Sequence, residues 1–176
     1  MHTTGSPKLP CSFFARDVLE AAPELLGKYL VRQLPDGQHI RLQITETEAY
    51  RGTEDKACHA SKGRTPRTEV MYHAPGTIYV YLVYGMHWML NIVAAEEDEP
   101  QAILIRGIEG YNGPGKLTKA LQLDKSFNDL PVCHHPTLWL EEGPQPQKIE
   151  ALPRVGIAYA GEYWASKPWR FLIPKK

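Results

Sequence analysis

Net charge is the first thing this 176-residue chain lacks: 20 Lys and Arg are balanced by 20 Asp and Glu. Taken alone, that neutrality counts against a nucleic-acid binder, whose domain is usually basic. Cysteine is scarce too. Cys11, Cys58 and Cys133 are odd in number, far apart and without a CxxC pair, so neither a disulfide framework nor a zinc knuckle is expected. No apolar signal core precedes Phe13. The one long apolar run, 78–95, is broken by Tyr79, Tyr81, Tyr84, Gly85, His87 and Asn91, which a membrane helix would not tolerate. HxxxH and HExxH spacings are absent, and the adjacent His134 and His135 are poor ligands for one ion. No glycine-rich dinucleotide fingerprint follows a strand. The expectation is a soluble, cytoplasmic protein of a reducing compartment, with no membrane partner, no metal and no cofactor.

What is present points to short elements and much loop. Fifteen prolines and fourteen glycines disfavour a long-helix bundle. A domain of this length buries roughly 70% of the surface of its unfolded chain, so one core suffices without a staple. The charges are segregated. Arg51, Lys56, Lys62, Arg64 and Arg67 crowd one stretch with only Glu54 and Asp55 among them. From Tyr163 onward come Lys167, Arg170, Lys175 and Lys176, while acids gather at 96–99 and at Glu141 and Glu142. Such a pattern makes either one basic face or solvated loops of mixed sign.

Periodicity predicts a helix over 17–26, stopped by Gly27 and strained by Pro23. Strands are expected over 28–34 and 39–48, joined by Pro35-Asp36-Gly37. Residues 51–75 read as loop. A second hairpin, 77–83 with 86–94, turns at Tyr84-Gly85, and 101–106 is a further strand. Gly113-Pro114-Gly115 introduces a helix over 116–123; residues 131–139 show no clear pattern. A last strand is expected over 154–158, followed by a tail. The fold class is therefore mixed α/β (α+β): one domain, 13–176, around a largely antiparallel sheet, behind an N-terminal tail at 1–12.

Alternation marks one strand as unusual. Ile40, Leu42 and Ile44 share a face, and simple parity continues that face into Glu46 and Glu48. Either the strand twists out to water there, or a carboxylate sits at a pocket rim, partly desolvated and able to act as a base. Tyr50 and His59 follow, and Tyr79 with Tyr81 make a stripe that fits sheet packing or a pocket wall. Tyr84 at the hairpin tip gains little from folding, and fits a wedge or a stacking anchor. Arg106 ends its strand by reaching to solvent or by pairing with a carboxylate. Gly113-Pro114-Gly115-Lys116 offers backbone N–H groups and a cation to phosphate, or is only a turn.

These residues, taken in order, resemble the alkyladenine (3-methyladenine or methylpurine) DNA glycosylases. The resemblance runs through Glu46-Thr47-Glu48-Ala49-Tyr50, His59, Thr65-Pro66-Arg67, 75–81, Tyr84-Gly85-Met86 and Asn91-Ile92. It continues through Leu104-Ile105-Arg106, 113–117, Lys125-Ser126-Phe127, 139–144, Arg154-Val155-Gly156, Gly161-Glu162 and 167–171. It implies a single compact domain around a curved antiparallel sheet, a protruding DNA-inserting hairpin, no metal or cofactor, and damaged double-stranded DNA bound by a monomer. By position, Glu48 would be the general base and Arg106 would hold water and carboxylate. Tyr50, His59, Tyr81, Asn91 and Leu104 would form the base pocket. Tyr84 and Met86 would intercalate, and Arg64, Arg67, Lys116, Lys167 and the basic tail would meet the backbone. The implied reaction is hydrolysis of the N-glycosidic bond of alkylated or deaminated purines (3-methyladenine, 7-methylguanine, hypoxanthine, ethenoadenine), leaving an abasic site. Differences from that pattern are a short stretch between Arg106 and Gly113, a bulky His87-Trp88-Met89-Leu90 return strand, and no long leading tail, as in a compact bacterial version. Two rivals stand beside it: a non-catalytic nucleic-acid-binding module on the same fold, and a metal-dependent hydrolase using His59, His134 and His135.

Overall fold

A computed structural model describes residues 5–175. Helix α1 (Val18–Glu24) starts where the Asp17 carboxylate accepts the Leu19 N–H at 2.9 Å, and it buries Val18, Ala21 and Ala22. It ends two residues before the expected 26. Pro23, which supplies no N–H, lies in its last turn. Strands β1 (Tyr29–Gln33) and β2 (His39–Arg51) form the first hairpin, paired from Tyr29↔Gln43 to Gln33↔His39. The second is β3 (Ile78–Val83) with β4 (His87–Ala94), and β5 (Gln101–Ile108) lies beside β4.

The two-residue strand β6 (Tyr111–Asn112) leads into helix α2 (Pro114–Ala120). That helix starts before the expected 116 because Pro114 is preset for a first helical turn, where its missing N–H costs nothing. Residues 131–139 resolve into a 3-10 turn, Val132–His134, and strand β7 (Leu138–Glu141). The strand expected over 154–158 does not form. Arg154 turns inward to Asp55, Gly156 takes a left-handed conformation (φ 74°), and a 3-10 turn follows at Ala158–Ala160. The C-terminal strands are instead β8 (Glu150–Leu152) and β9 (Arg170–Leu172), with the short helix α3 (Glu162–Ala165) between them.

Among the described residues all strand pairings are antiparallel, and nine strands run β3-β4-β5-β2-β1-β7, with β6 on β5 and the β8–β9 pair attached to β2. The sheet is not closed into a barrel, and the fold is α+β as expected. On one face α1, α2 and the main core pack together: Phe14, Leu25, Leu30, Ile44, Ile78, Leu90, Ile92, Ile103, Ile105 and Leu117 among them. The other face is covered by the long loop after β2, through Cys58, Ala60, Val70, Met71 and Tyr72. That loop holds two 3-10 turns, His59–Lys62 and Glu69–Tyr72. Near the N-terminus, Leu9 is buried and its N–H donates to Leu140 O at 2.9 Å, so residues 8–9 lie along β7.

The expectation of no disulfide is corrected. Cys11 and Cys133, 122 residues apart, are bonded to each other, with Cα atoms 5.5 Å apart. The short turns carrying them both pack at the entrance to β3, where Gly76 (φ 91°) makes room. A Cβ there would come within 2.8 Å and 2.9 Å of the two sulfurs. Spacing so long leaves no local pattern to find. Cys58 is free and buried, and burial pushes its thiol pKa up to about 12.

Candidate active site

Simple parity fails in β2, and that failure builds the site. Register with β5 breaks twice, between Ile44 and Glu46 and between Glu46 and Thr47. Before the break Ile44 and Ile108 belong to the main core; after it Ala49, Ile103 and Ile105 do, and the Thr47 hydroxyl donates to Ala22 O of α1 at 2.9 Å. Glu46 and Glu48 therefore do not continue the apolar face, as alternation alone predicts. They turn with Tyr50 to the opposite face. Gly107 stands against the break, where a Cβ would lie 3.0 Å from the Thr45 hydroxyl.

Across that face runs a row of register partners, Tyr79↔Asn91↔Leu104↔Glu48↔Arg170, one from each of β3, β4, β5, β2 and β9. Glu48 is wholly buried. Its Oε1 accepts the Tyr50 hydroxyl at 2.7 Å, and its Oε2 accepts the Val155 N–H at 2.7 Å. Burial raises its pKa above the ordinary carboxylate value, against the opposing pull of Arg106, Tyr50, Val155 and Arg154. Arg106 bonds chiefly to the other carboxylate. Its Nε lies 3.1 Å from Glu46 Oε2 and 3.9 Å from Glu48 Oε2, and Arg170 Nη1 also donates to Glu46 at 3.1 Å. A shielded carboxylate thus stands beside one acid shared by two arginines, a cluster whose charges balance once Glu48 is counted.

In front of it is a cavity of about 60 Å³ lined by Tyr50, Ala57, His59, Met71, Tyr79, Tyr81, Asn91, Ala102 and Tyr159. Four of these are tyrosines. His59 Nδ1 meets the Tyr79 hydroxyl at 3.0 Å, and its ring stands edge-on to Tyr81 with centroids 4.6 Å apart. Burial, with Arg67 and Lys62 nearby, lowers the His59 pKa to about 4, so its ring is neutral at pH 7. Asn91 is buried and donates to Tyr79 O at 3.2 Å. Leu104 is buried between Glu48 and Asn91 in the row and does not line the cavity.

Tyr84 and Gly85, both with positive φ (53° and 67°), close the β3–β4 hairpin in the primed turn that suits strand twist. Tyr84 is 90% exposed and Met86 68%. The candidate backbone contacts divide. Arg64 is already held by Glu69 (2.8 Å) and Asp98 (3.1 Å). Arg67 is exposed, 5.5 Å from the Tyr81 ring centre, at the cavity. Lys116 is exposed in the first turn of α2, whose Gly115 abuts the His87 ring of the hairpin. Lys167 lies 4.0 Å over the Tyr163 ring. Lys176 falls outside the described residues.

Of the two readings of Tyr79 the structure supports the pocket wall. Sequence reasoning missed Glu46 as the main partner of Arg106, Tyr159 as a cavity wall, and the pairing of Asp55 with Arg154. Asp55 looks like one more charge in a polar loop. Only the arginine placed between Pro153 and Val155 hinted that a charge there is not solvated. Among the described residues, no three His, Cys, Asp or Glu side chains gather closely enough to hold a metal ion. No helix among the described residues is long and apolar enough to cross a membrane.

A buried carboxylate behind an aromatic-walled cavity, two of whose aromatic walls come from a hairpin that ends in an exposed tyrosine, fits a class: a hydrolytic enzyme that handles a planar base. Comparison with known proteins names the group. The family model described as methylpurine-DNA glycosylase (MPG) matches residues 12–111 and 109–176, and the chain belongs to that family. It is 48% identical to a protein of Methanocella arvoryzae, over 94% of this chain and 92% of that one. It is 44% identical to one of Desulfitobacterium hafniense, over 94% and 95%. Both carry the name "Putative 3-methyladenine DNA glycosylase". The chain is a DNA glycosylase, a hydrolase of N-glycosyl bonds with DNA as its substrate.

Proposed function

We propose that the protein, acting as a monomer, flips alkylated or deaminated purines out of damaged duplex DNA and releases them with a water activated by Glu48. 3-Methyladenine, 7-methylguanine, hypoxanthine and ethenoadenine form the substrate class. The observation that carries this reading is the wholly buried Glu48 carboxylate beside a cavity walled by Tyr50, Tyr79, Tyr81 and a neutral His59. Extrusion of a base costs a few kcal/mol, and stacking returns about 1–3 kcal/mol per base. Tyr84 fills the vacated stack while the aromatic walls receive the base. Those walls also favour a cationic alkylpurine over a neutral one.

In the chemical step the glycosidic bond breaks toward an oxocarbenium-like sugar. The base leaves with the bonding electrons, and water adds to the anomeric carbon as its proton passes to Glu48. Glu48 must be ionised to take that proton. The Val155 N–H and Tyr50 hydroxyl hold its oxygens in place, while Arg106 and Glu46 set the charge beside it. The cavity lining contains no lysine, so the reaction ends at an abasic site without strand cleavage through a Schiff base.

Glu48→Gln tests this. Single-turnover release of hypoxanthine should fall by about 10²–10⁴-fold, with lesion-duplex binding retained. Release at the parent rate by the folded variant would overturn the reading.

A further inference from the structure

Two charges buried as completely as Glu48 take no part in the step above. Asp55, in the loop after β2, and Arg154, after β8, are both fully buried side chains. Arg154 Nη1 and Nη2 donate to Asp55 Oδ2 and Oδ1 at 2.6 Å and 2.9 Å, a bidentate pair. Nη1 also donates to Ala49 O at 2.9 Å and Nη2 to Trp164 O at 3.4 Å. On the other side Asp55 accepts the Arg51 and Ala57 N–H groups, each at 3.0 Å. Arg154 Nε, also buried, has no partner among the described residues.

As a source of stability this arrangement is poor. Buried ion pairs return little beyond their desolvation cost, and an orphaned buried donor costs about 1–3 kcal/mol. Its geometry, however, converges on Glu48. Ala49, whose carbonyl Arg154 holds, lies between Glu48 and Tyr50. The guanidinium centre lies 5.0 Å from the Tyr50 ring centre, and the Tyr50 hydroxyl donates to Glu48. The next residue, Val155, sends its N–H to the other Glu48 oxygen. Both hydrogen bonds that orient the carboxylate are thus anchored on one guanidinium.

We propose that Asp55 and Arg154 are positioning residues: a buried, charge-balanced clamp that aims the Glu48 carboxylate and sets the charge it meets from behind. This rests on the reading of Glu48 as the base. The other titratable and charged groups facing Glu48 are Glu46 and Tyr50 on its own strand, Tyr81 on β3, Arg106 on β5, Arg170 on β9, and Tyr159 after Val155. Removing either member of the clamp should misaim the carboxylate, where a displacement near 1 Å costs on the order of 10²-fold in rate. The two removals should also push its titration in opposite directions. Arg154→Gln takes away a cation, which disfavours the carboxylate. Asp55→Asn leaves that cation unbalanced, which favours it.

The test is the pH profile of single-turnover hypoxanthine release by the full chain, for Arg154→Gln, Asp55→Asn, Arg154→Lys and Glu48→Gln, with thermal melts and lesion-duplex binding as folding controls. Expected are rates lowered on the order of 10²-fold, an acid limb moved to higher pH in Arg154→Gln and to lower pH in Asp55→Asn, and the limb but not the rate restored by Arg154→Lys, which keeps the charge and loses the fork. Should Arg154→Gln not fold, the Asp55→Asn profile decides alone. An unmoved limb in folded Asp55→Asn, or a shift in the same direction in both variants, would overturn the clamp. Parent-rate release by Glu48→Gln would instead overturn the base reading beneath it.

Discussion

Tyr84 is the residue on which folding and function should part most cleanly. It is 90% exposed, so the hidden part of its side chain is on the order of 20 Å² and contributes about 0.5 kcal/mol of burial. Against that stands its backbone, at φ 53° in the left-handed region, which costs a non-glycine residue about 1–2 kcal/mol. Tyr84→Ala loses the small burial and keeps the strain, so its stability should fall by less than about 1 kcal/mol. Tyr84→Gly loses the same burial and sheds the strain, partly offset by about 0.4–1 kcal/mol of extra freedom in the unfolded chain. Its melting temperature should match the parent or exceed it. Excision should respond differently. Losing a stacking filler worth about 1–3 kcal/mol lowers the flipped population by about 5–150-fold. Single-turnover release of hypoxanthine from duplex should fall within that range in both variants. The same lesion in a single strand, with no stack to refill, should be released nearly as fast as by the parent. A duplex rate that stays at the parent value, or an equal loss on both substrates, would refute the wedge. A large drop in melting temperature in both variants would place Tyr84 in the core after all.

Duplex affinity should fall with added salt by about 0.9 log units per log unit for each phosphate neutralised, and Lys116→Ala should flatten that slope more than Arg64→Ala, because Arg64 is already balanced by Glu69 and Asp98; equal flattening in filter-binding titrations would contradict this. The His59 ring, with its pKa lowered to about 4, should stay neutral from pH 8 to pH 5, so its NMR ring signals should not titrate there, and a midpoint near 6.5 would show that the cavity does not desolvate it. Thiol titration of the denatured chain should find one reactive cysteine, Cys58, before reduction and three after it; three at the outset would mean Cys11 and Cys133 are not joined.

The two hairpins were legible because their turns carry local chemistry. Gly37 (φ 90°) and the Tyr84-Gly85 pair sit where a positive φ is needed, and apolar runs flank them. Glu48 stands out in the sequence as a carboxylate at the end of an apolar row, yet in the structure it lies on the opposite face from that row. The face on which it lies is set by the break at 44–47, and a period of two cannot show a pairing irregularity that depends on β5. Strand β9 escaped notice because three residues hold no period. Asp55 and Arg154, 99 residues apart, announce themselves only when the fold brings them together. The Cys11–Cys133 bond is hidden in the same way.

The break between Ile44 and Thr47 has a consequence for how such a chain can change length. The break is written into both strands: Ile44 and Thr47 of β2 lie three residues apart yet on the same core face, as do Ile108 and Ile105 of β5. Deleting one residue from β2 there would leave two steps where β5 still has three. Thr47 and Ala49 would keep the core face only by slipping one place against β5, and Glu48 would lose its register with Leu104 in the row that ends at Arg170. An insertion at the Pro35–Gly37 turn or in the 142–149 segment touches neither phase. Natural variation in length should therefore gather at such loops, while 44–47 and 105–108 behave as a ruler whose divisions can be relabelled by substitution and not moved.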